Sequence, residues 1–442
     1  MNKEGPSPIM TRWCGQGTRN WRRDTIRWPG ALLAMRERDQ AVPPLGQAST
    51  GPAASPLPPL AKPSLPTAAC RAPAVSAPGI REQAPASGWR APAPHVVSRE
   101  EVFAFLRRFG RNTQSFVLAY GGCDWFQSAD PPGLVAYVRS GHTCVVGGDP
   151  LCDPEDAPAV LQAFARSIAR GRRIAIVLAS SWTVPQLNLL GYGAIAVGSD
   201  PFFDLEAWRP RGERGQRIRS APNRARRRGV TVSSYQPTKG RDPRAEAELQ
   251  ACLRAWLTAR PGLMVRFFSA VQPLEWPEEK RYFCAWQGGH MVAFVVCSPI
   301  YARHSWLIAD IVRRPDTVHG ATEWLITTAF ESLRREGVKV ATLGLSPLQN
   351  LPADSQHPLR VQTLRAVAAT LRPFYNFRGM RQYKRKFAPS WWEPVYVAFR
   401  PDRLSPGLIF DIVNALMPGG VLGVAWGWVS RYLPFLQRRT AG

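Results

Sequence analysis

The patterning of apolar and polar positions is uneven along this chain, and ordered patterning begins near Val97. Ser98–Phe109 carries apolar residues at helical spacing, with Ser98 placed as a cap and Glu101 three residues on, the spacing of a capping box. Short apolar runs then predict strands over Ser115–Tyr120, Gly133–Arg139 and Thr143–Gly147. Pro158–Arg170 reads as a helix and Arg173–Ala179 as a buried strand. A second run repeats this order. It has a helix over Glu246–Ala259, strands over Phe283–Trp286 and Met291–Ser298 around Gly288-Gly289, and a strand over Ser305–Ile311. An amphipathic helix follows over Gly320–Arg335, then a strand over Lys339–Leu345, a helix over Thr363–Leu371 and a last strand over Trp392–Phe399. The pattern predicts an α/β fold with mixed sheets, in two similar units over 98–208 and 245–400. A connector spans 209–244, a tail 1–97 and an amphipathic segment 401–442.

Composition changes this picture at the two ends and in the connector. Hydrophobic residues are 45% of the 442, enough for a core, yet residues 41–97 are mostly Pro, Ala and Ser. The tail is therefore predicted to be disordered; an over-extended reading frame would look the same. The formal charge is +25, which implies polyanionic partners. The excess is local: 98–208 has nine basic and eleven acidic residues, 209–244 twelve and two, and 377–442 ten and three. Eight arginines lie between Arg211 and Arg228 with one acid, and Arg217, Arg224 and Arg228 share a helical face that Pro222 interrupts. Guanidinium forks match phosphate oxygens, so Arg217, Arg219, Arg224, Arg226, Arg227 and Arg228 are candidates for a phosphate-tracking strip. The alternative is a solvated basic helix. The eight cysteines form no CxxC pair and read as isolated buried thiols of a reducing compartment. The first residues lack a secretory signal's apolar stretch, and no apolar run reaches the ~18 residues of a spanning helix.

Four stretches are candidates for chemistry. In "VVGGDP" a strand enters a tight turn where Asp149 either meets a ligand or caps the turn. In "LIADIVRRPDTVHGATEWLI" a strand delivers Asp310 and Arg313 and a loop leads to Gly320, which opens a helix. That sets an acid, a base and a positive helix end together, for an amino group and a carbonyl or phosphate, unless the pair is a structural one. The segment 371–399 interleaves Arg381, Lys384 and Lys386 with aromatic rings, which suits unpaired nucleotides as well as a packed core. If that segment is extended, Lys384 and Lys386 share a face. Leu404–Leu436 is aromatic and apolar with flanking arginines, as for a segment lying on a membrane or a terminal helix packed on the domain. The histidines and cysteines show no metal-ligand spacing, so no metal is expected, and no P-loop, GxGxxG or GxSxG occurs.

Taken in order, Gly147-Gly148-Asp149-Pro150, the arginine-rich connector with Asn223, Asp310-x-x-Arg313 with Pro315 and Gly320, "LGLSPL" and "FYNFRGMRQYKRKFAPSWWEPVYVAF" resemble one family. It is the C-terminal catalytic domain of bacterial phosphatidylglycerol lysyltransferases, the multiple peptide resistance factors. The resemblance covers about residues 98–400. It implies two tandem GNAT-like (acetyltransferase-like) units and transfer of an amino acid from aminoacyl-tRNA, the co-substrate, to a lipid hydroxyl, with no other cofactor. It places Asp310 and Arg313 in the amino-acid site, and Lys384 and Lys386 at the reaction centre or the tRNA end. Glu393 and Tyr396 lie in the matching "WEPVY" strand and, with Asp149 and Gly320, are expected at the substrate; Arg381 joins the arginine strip at the tRNA. The expected partners are aminoacyl-tRNA and an anionic phospholipid surface, the latter from the inner, cytoplasmic face of the cell membrane. Family members carry many transmembrane helices ahead of this domain, so transfer without lipid flipping is expected here. The family's "APL" turn is Ser346-Pro347-Leu348 in this chain. An acyl-CoA-dependent N-acyltransferase and a non-catalytic RNA- or membrane-binding module are the rival readings; one glycine after Arg314 is a poor pyrophosphate loop.

Overall fold

A computed structural model of the chain describes residues 97–259, 271–347 and 377–417, with scattered positions at 360–369 and residue 420. The tail up to residue 96 and the aromatic residues Trp426, Trp428, Tyr432 and Phe435 lie outside the described residues. So does most of the expected helix over Thr363–Leu371, whose described positions are helical.

The first half runs α1 (Arg99–Phe109), a 3-10 helix (Ser115–Tyr120), β1 (Asp124–Ser128), β2 (Gly133–Ser140), β3 (Thr143–Gly147), α2 (Ala157–Ser167), β4 (Arg173–Ser180), α3 (Val184–Leu189) and β5 (Gly193–Asp204). The basic connector folds as α4 (Gly212–Arg227) and β6 (Thr231–Tyr235). The second half runs α5 (Pro243–Thr258), β7 (Arg281–Gln287), β8 (His290–Ile300), β9 (Ser305–Arg313), α6 (Ala321–Arg335), β10 (Val340–Thr342), β11 (Ser346–Pro347), α7 (Phe377–Arg385), β12 (Trp391–Arg400) and α8 (Pro406–Leu416).

All the strands join one mixed sheet in the order β1-β2-β3-β4-β12-β5-β10-β9-β8-β7-β6, with β11 paired to β5. Two neighbouring pairs are parallel, β3 with β4 and β9 with β10. Parallel neighbours need a crossover, and α2 and α6 supply one each. The halves therefore repeat a hairpin, a crossover helix and a parallel strand. β12 comes late in sequence but lies between β4 and β5, pairing Val395 with Ser180 and Trp392 with Pro201.

Local signals account for many of these elements. Ser98 Oγ accepts from Glu101 N at 3.1 Å while Ser98 N donates to Glu101 Oε2 at 2.7 Å, the reciprocal box that starts α1. Gly288 and Gly289 take φ of 59° and 81°, as the β7–β8 hairpin requires. α4 runs through Pro222 without ending; Ile218, Ala221 and Ala225 form its buried stripe and turn the arginines outward. Gly320 sits at φ 99° before α6, where a Cβ would stand 2.9 Å from the Ala221 carbonyl oxygen. Glycine there lets α6 approach α4.

One expected strand is not a strand. Ser115–Tyr120 forms the 3-10 helix, and five of its six residues are buried. Gly121 and Gly122 follow at φ 84° and 80°, backbone that glycine adopts readily. A six-residue apolar run has no periodicity that separates the two choices.

Candidate active site

Among the described residues the sheet has a gap. β10 pairs with β9 only as far as Thr342↔Leu307, whereas β9 continues to Arg313 and β5 is taken up again by Ser346↔Ser199. Past Leu307, β9 has no strand beside it on that edge among the described residues. Such an edge leaves main-chain donors and acceptors for a ligand.

Lys384, on the last turn of α7, closes one wall of the gap. It is 7% exposed, and its Nζ donates to the carbonyls of Gly344 and Leu345, both at 2.7 Å. These are the carbonyls that follow the last β10 pairing. Burial pulls the Lys384 ammonium down to about 8, against the opposing charge of Asp200. Asp200, on β5, is 2% exposed. Its Oδ2 accepts from Thr113 Oγ1 at 2.7 Å, and its Oδ1 has no partner among the described residues. Burial pushes its carboxyl up to about 6, opposed by the Thr113 bond and by Lys384.

Asp200 faces Glu393 across the β5–β12 pairing. Glu393 accepts from both terminal guanidinium nitrogens of Arg303, at 2.9 and 2.7 Å, and from Trp391 Nε1 at 2.9 Å. Burial alone would raise the Glu393 carboxyl, but these donors hold it below the usual carboxylate range. Arg303 also covers the Phe202 ring at 4.4 Å, and Trp391 stacks on that ring at 5.4 Å. Arg381, one turn before Lys384, donates to Ser199 Oγ at 3.2 Å and covers Trp392 at 4.4 Å. Burial, then the neighbouring Arg385, lowers its basicity.

Asp310 lies on the open edge of β9. Burial pushes its carboxyl up, and the buried ammonium of Lys280 opposes the shift. Lys280 Nζ donates to the Gln272 and Pro273 carbonyls at 2.8 and 3.3 Å and sits 4.5 Å from the Tyr120 ring. The segment before β1 links both acids: Thr113 bonds Asp200, and Phe116 and Tyr120 face Lys280.

Asp310 and Arg313, expected together beside the start of α6, do not share a face of β9. Val312 packs with Leu249 and Cys252 of α5, while Ile311 packs with the cluster of α6. By strand alternation Asp310 belongs to the α5 face and Arg313 to the α6 face, so the two flank the edge of β9 from opposite sides. Lys384 and Lys386 do not share an extended face either. Lys384 is helical, and Lys386 lies in the turn after α7, where its Nζ stands 3.7 Å from Glu323.

Three other residues expected at a ligand serve the scaffold instead. Asp149 is buried and accepts from Asn112 Nδ2, Ser180 N and Thr183 Oγ1, so it holds the Ser180–Thr183 turn after β4 rather than its own turn. Gly320 serves the packing of α4 on α6. Tyr396, past a bulge in β12, packs on the core of the first half with Ile176 and Ala179. Glu393 lies across from Asp200 in the β5–β12 pairing, Arg381 bonds Ser199 of β5, and Lys384 binds the carbonyls that follow β10.

Arg217, Arg219, Arg224, Arg226 and Arg227 are exposed on α4, and Arg228 is exposed at its C-terminal cap. Their partners are the Pro210 and Arg217 carbonyls, Ser220, Asn223 and the Trp324 ring, and among the described residues no carboxylate pairs with them. Arg226 lies 5.2 Å over Trp324, the neighbour of Glu323, so the first turn of α6 connects the arginine helix to Lys386 and α7. A surface cleft of about 320 Å³ between Trp208, Ile218 and Phe330 contains none of the residues at the gap.

Asp200, Thr113, Lys280 and Arg303 escape the sequence reading. A lone acid inside "AVGSDPFF", with apolar residues on both sides, is the signal for Asp200. Among the described residues no group of histidine, cysteine and acid side chains is placed to hold a metal, and no helix is long and apolar enough to cross a membrane.

A duplicated α/β chain with one mixed sheet, split beside the second crossover strand, is a GNAT-like fold. Within that class the chain belongs to the phosphatidylglycerol lysyltransferase C-terminal family, which matches residues 103–399. The phosphatidylglycerol lysyltransferase of Bacillus subtilis is 24% identical over 319 residues, covering 71% of this chain and 36% of that protein. The enzyme of the same name from Staphylococcus aureus strain MRSA252 is 22% identical over 307 residues, covering 69% and 36%. The chain thus spans about a third of the length of these relatives. Among solved structures, L-PGS from Bacillus licheniformis superposes with a TM-score of 0.61 at 22% identity, over 73% of this chain and 97% of that one. A C-terminal domain assigned to the lysylphosphatidylglycerol synthetases, from Agrobacterium fabrum, gives 0.62 at 22%, over 73% and 99%.

Proposed function

We propose that this chain transfers an amino acid from aminoacyl-tRNA to a hydroxyl of phosphatidylglycerol at the cytoplasmic face of the membrane. The observation that carries this reading is the split sheet with buried Lys384 in its wall, connected by the first turn of α6 to an exposed arginine helix. Family membership and the names of the relatives support the same reaction.

The ester bond of an aminoacyl-tRNA is already activated, so the site needs to position, exclude water and stabilise charge. The acceptor hydroxyl oxygen bonds to the ester carbonyl carbon. The carbonyl oxygen becomes an oxyanion, which the Lys384 ammonium meets. The bond from carbon to the ribose oxygen then breaks, and the acceptor's proton ends on that ribose oxygen, relayed by the adjacent ribose hydroxyl. Asp310 takes the substrate's ammonium from the α5 face, and Arg313 works on the α6 face. The arginines of α4 hold the tRNA phosphates, as the absence of carboxylate partners among the described residues favours. The exposed ring of Phe410 on α8 and the basic surface face the anionic lipid.

The test incubates the full chain with phosphatidylglycerol vesicles and tRNA charged with labelled amino acids, and follows label into the lipid phase. Ribonuclease-sensitive label that is lost in Lys384→Met supports the reaction. Discharge of the tRNA without lipid label moves the acceptor elsewhere, and no use of charged tRNA overturns the reading.

A further inference from the structure

Lys384 is a cation in an expensive place. Two of its three ammonium hydrogens go to the carbonyls of Gly344 and Leu345, which satisfy dipoles but supply no counter-charge. A lysine so buried loses its proton unless an anion compensates. The charged groups around it are few among the described residues. Arg381, one turn earlier on the same helix, is a like charge and supplies no compensation. Glu393 on β12 is already occupied by Arg303. Asp200 on β5 follows Ser199, which pairs with Ser346, next to the Leu345 carbonyl that Lys384 holds, and which accepts from Arg381 one turn before Lys384. The Asp200 carboxylate is therefore the one placed to act on Lys384.

Asp200 does not touch Lys384. Its Oδ2 is fixed by Thr113, its Oδ1 bonds nothing among the described residues, and the two side chains form no ion pair. A direct pair would occupy the lysine's third hydrogen. A carboxylate held back by Thr113 keeps the charge and leaves that hydrogen for a substrate oxygen.

We propose that Asp200 is a positioning residue that keeps Lys384 charged inside the gap while leaving its third N–H for the substrate. The inference rests on the reading that Lys384 meets the oxyanion, but it is tested without turnover. The full chain is labelled with 13C-lysine, the Lys384 side-chain signal is assigned by its loss in Lys384→Arg, and the signal is titrated with pH. In the unaltered chain the midpoint should lie near 8, with a smaller inflection near 6 as Asp200 protonates. In Asp200→Asn, which preserves the acceptor for Thr113, the midpoint should drop by about one unit or more. An unchanged midpoint in that variant overturns the proposal. Should the variant not fold, a missing inflection in the unaltered chain overturns it instead. The alkaline limb of transfer should move toward acid by the same shift in Asp200→Asn, whereas Lys384→Arg should lack that limb. A shifted midpoint in a chain that transfers nothing would sink the proposed reaction and leave this inference standing; an unshifted one in an active chain would do the reverse.

Discussion

The two halves take the same step, a strand followed by a crossover helix and a parallel strand, and finish it differently. In the first half β4 pairs with β3 from Thr143↔Arg173 to Gly147↔Val177, and its other edge is filled by β12. In the second half β10 stops after three pairs with β9. The acids near these strands follow suit. Asp149 accepts three hydrogen bonds, whereas Asp310 stands on an open edge, its charge supported across space by the buried ammonium of Lys280. A completed strand pairing yields scaffold, and an interrupted one leaves polar groups facing a gap.

The largest effect is expected at Lys384. Lys384→Met should lower the transfer rate by on the order of 10²–10³, the usual loss for one oxyanion donor, with the circular dichroism spectrum retained. Its counterpart in the closed half should show the opposite signature. Asp149→Ala leaves Asn112, Thr183 and the Ser180 amide without their acceptor, and should cost roughly 2–4 kcal/mol in urea unfolding. Asp200 gives a pH test. Its raised carboxyl binds a proton more readily folded than unfolded, so its contribution to stability is complete below about 3.8 and lost as pH rises through about 6. The difference in stability between the unaltered chain and Asp200→Asn should therefore change by roughly 2–3 kcal/mol between pH 4 and 7, in favour of the variant at the higher pH. Gly320→Ala should cost about 1–2 kcal/mol, since it combines a positive φ with a crowded Ala221 carbonyl. Replacing Arg224, Arg227 and Arg228 by alanine should reduce the slope of log affinity for tRNA against log salt by about 1 for each phosphate no longer neutralised, and leave stability almost unchanged.

Much of the scaffold is legible in local pattern. The α1 box, the Gly288-Gly289 hairpin and the crossover helix α6 are each written in a short stretch of neighbouring sequence. The site is less so, because its pairings are remote. Thr113 meets Asp200 across 87 positions and Arg303 meets Glu393 across 90, and no local period encodes either. Lys384 is visible in the sequence as a basic residue among rings, but whether α7 is helix or strand decides which neighbour shares its face. Spacing singles out Asp310 and Arg313, and their separation to opposite faces follows once β9 is a regular strand there.

The placement of β12 also shapes how the molecule is made. The edges of β4 and β5 cannot be covered until residues 391–400 leave the ribosome, long after β5 has emerged. Until then the nascent first half presents two unpaired strand edges, the condition under which chains recruit chaperones or stick to one another. A stop codon ahead of Trp391 would therefore spoil the half of the molecule that had already been synthesised.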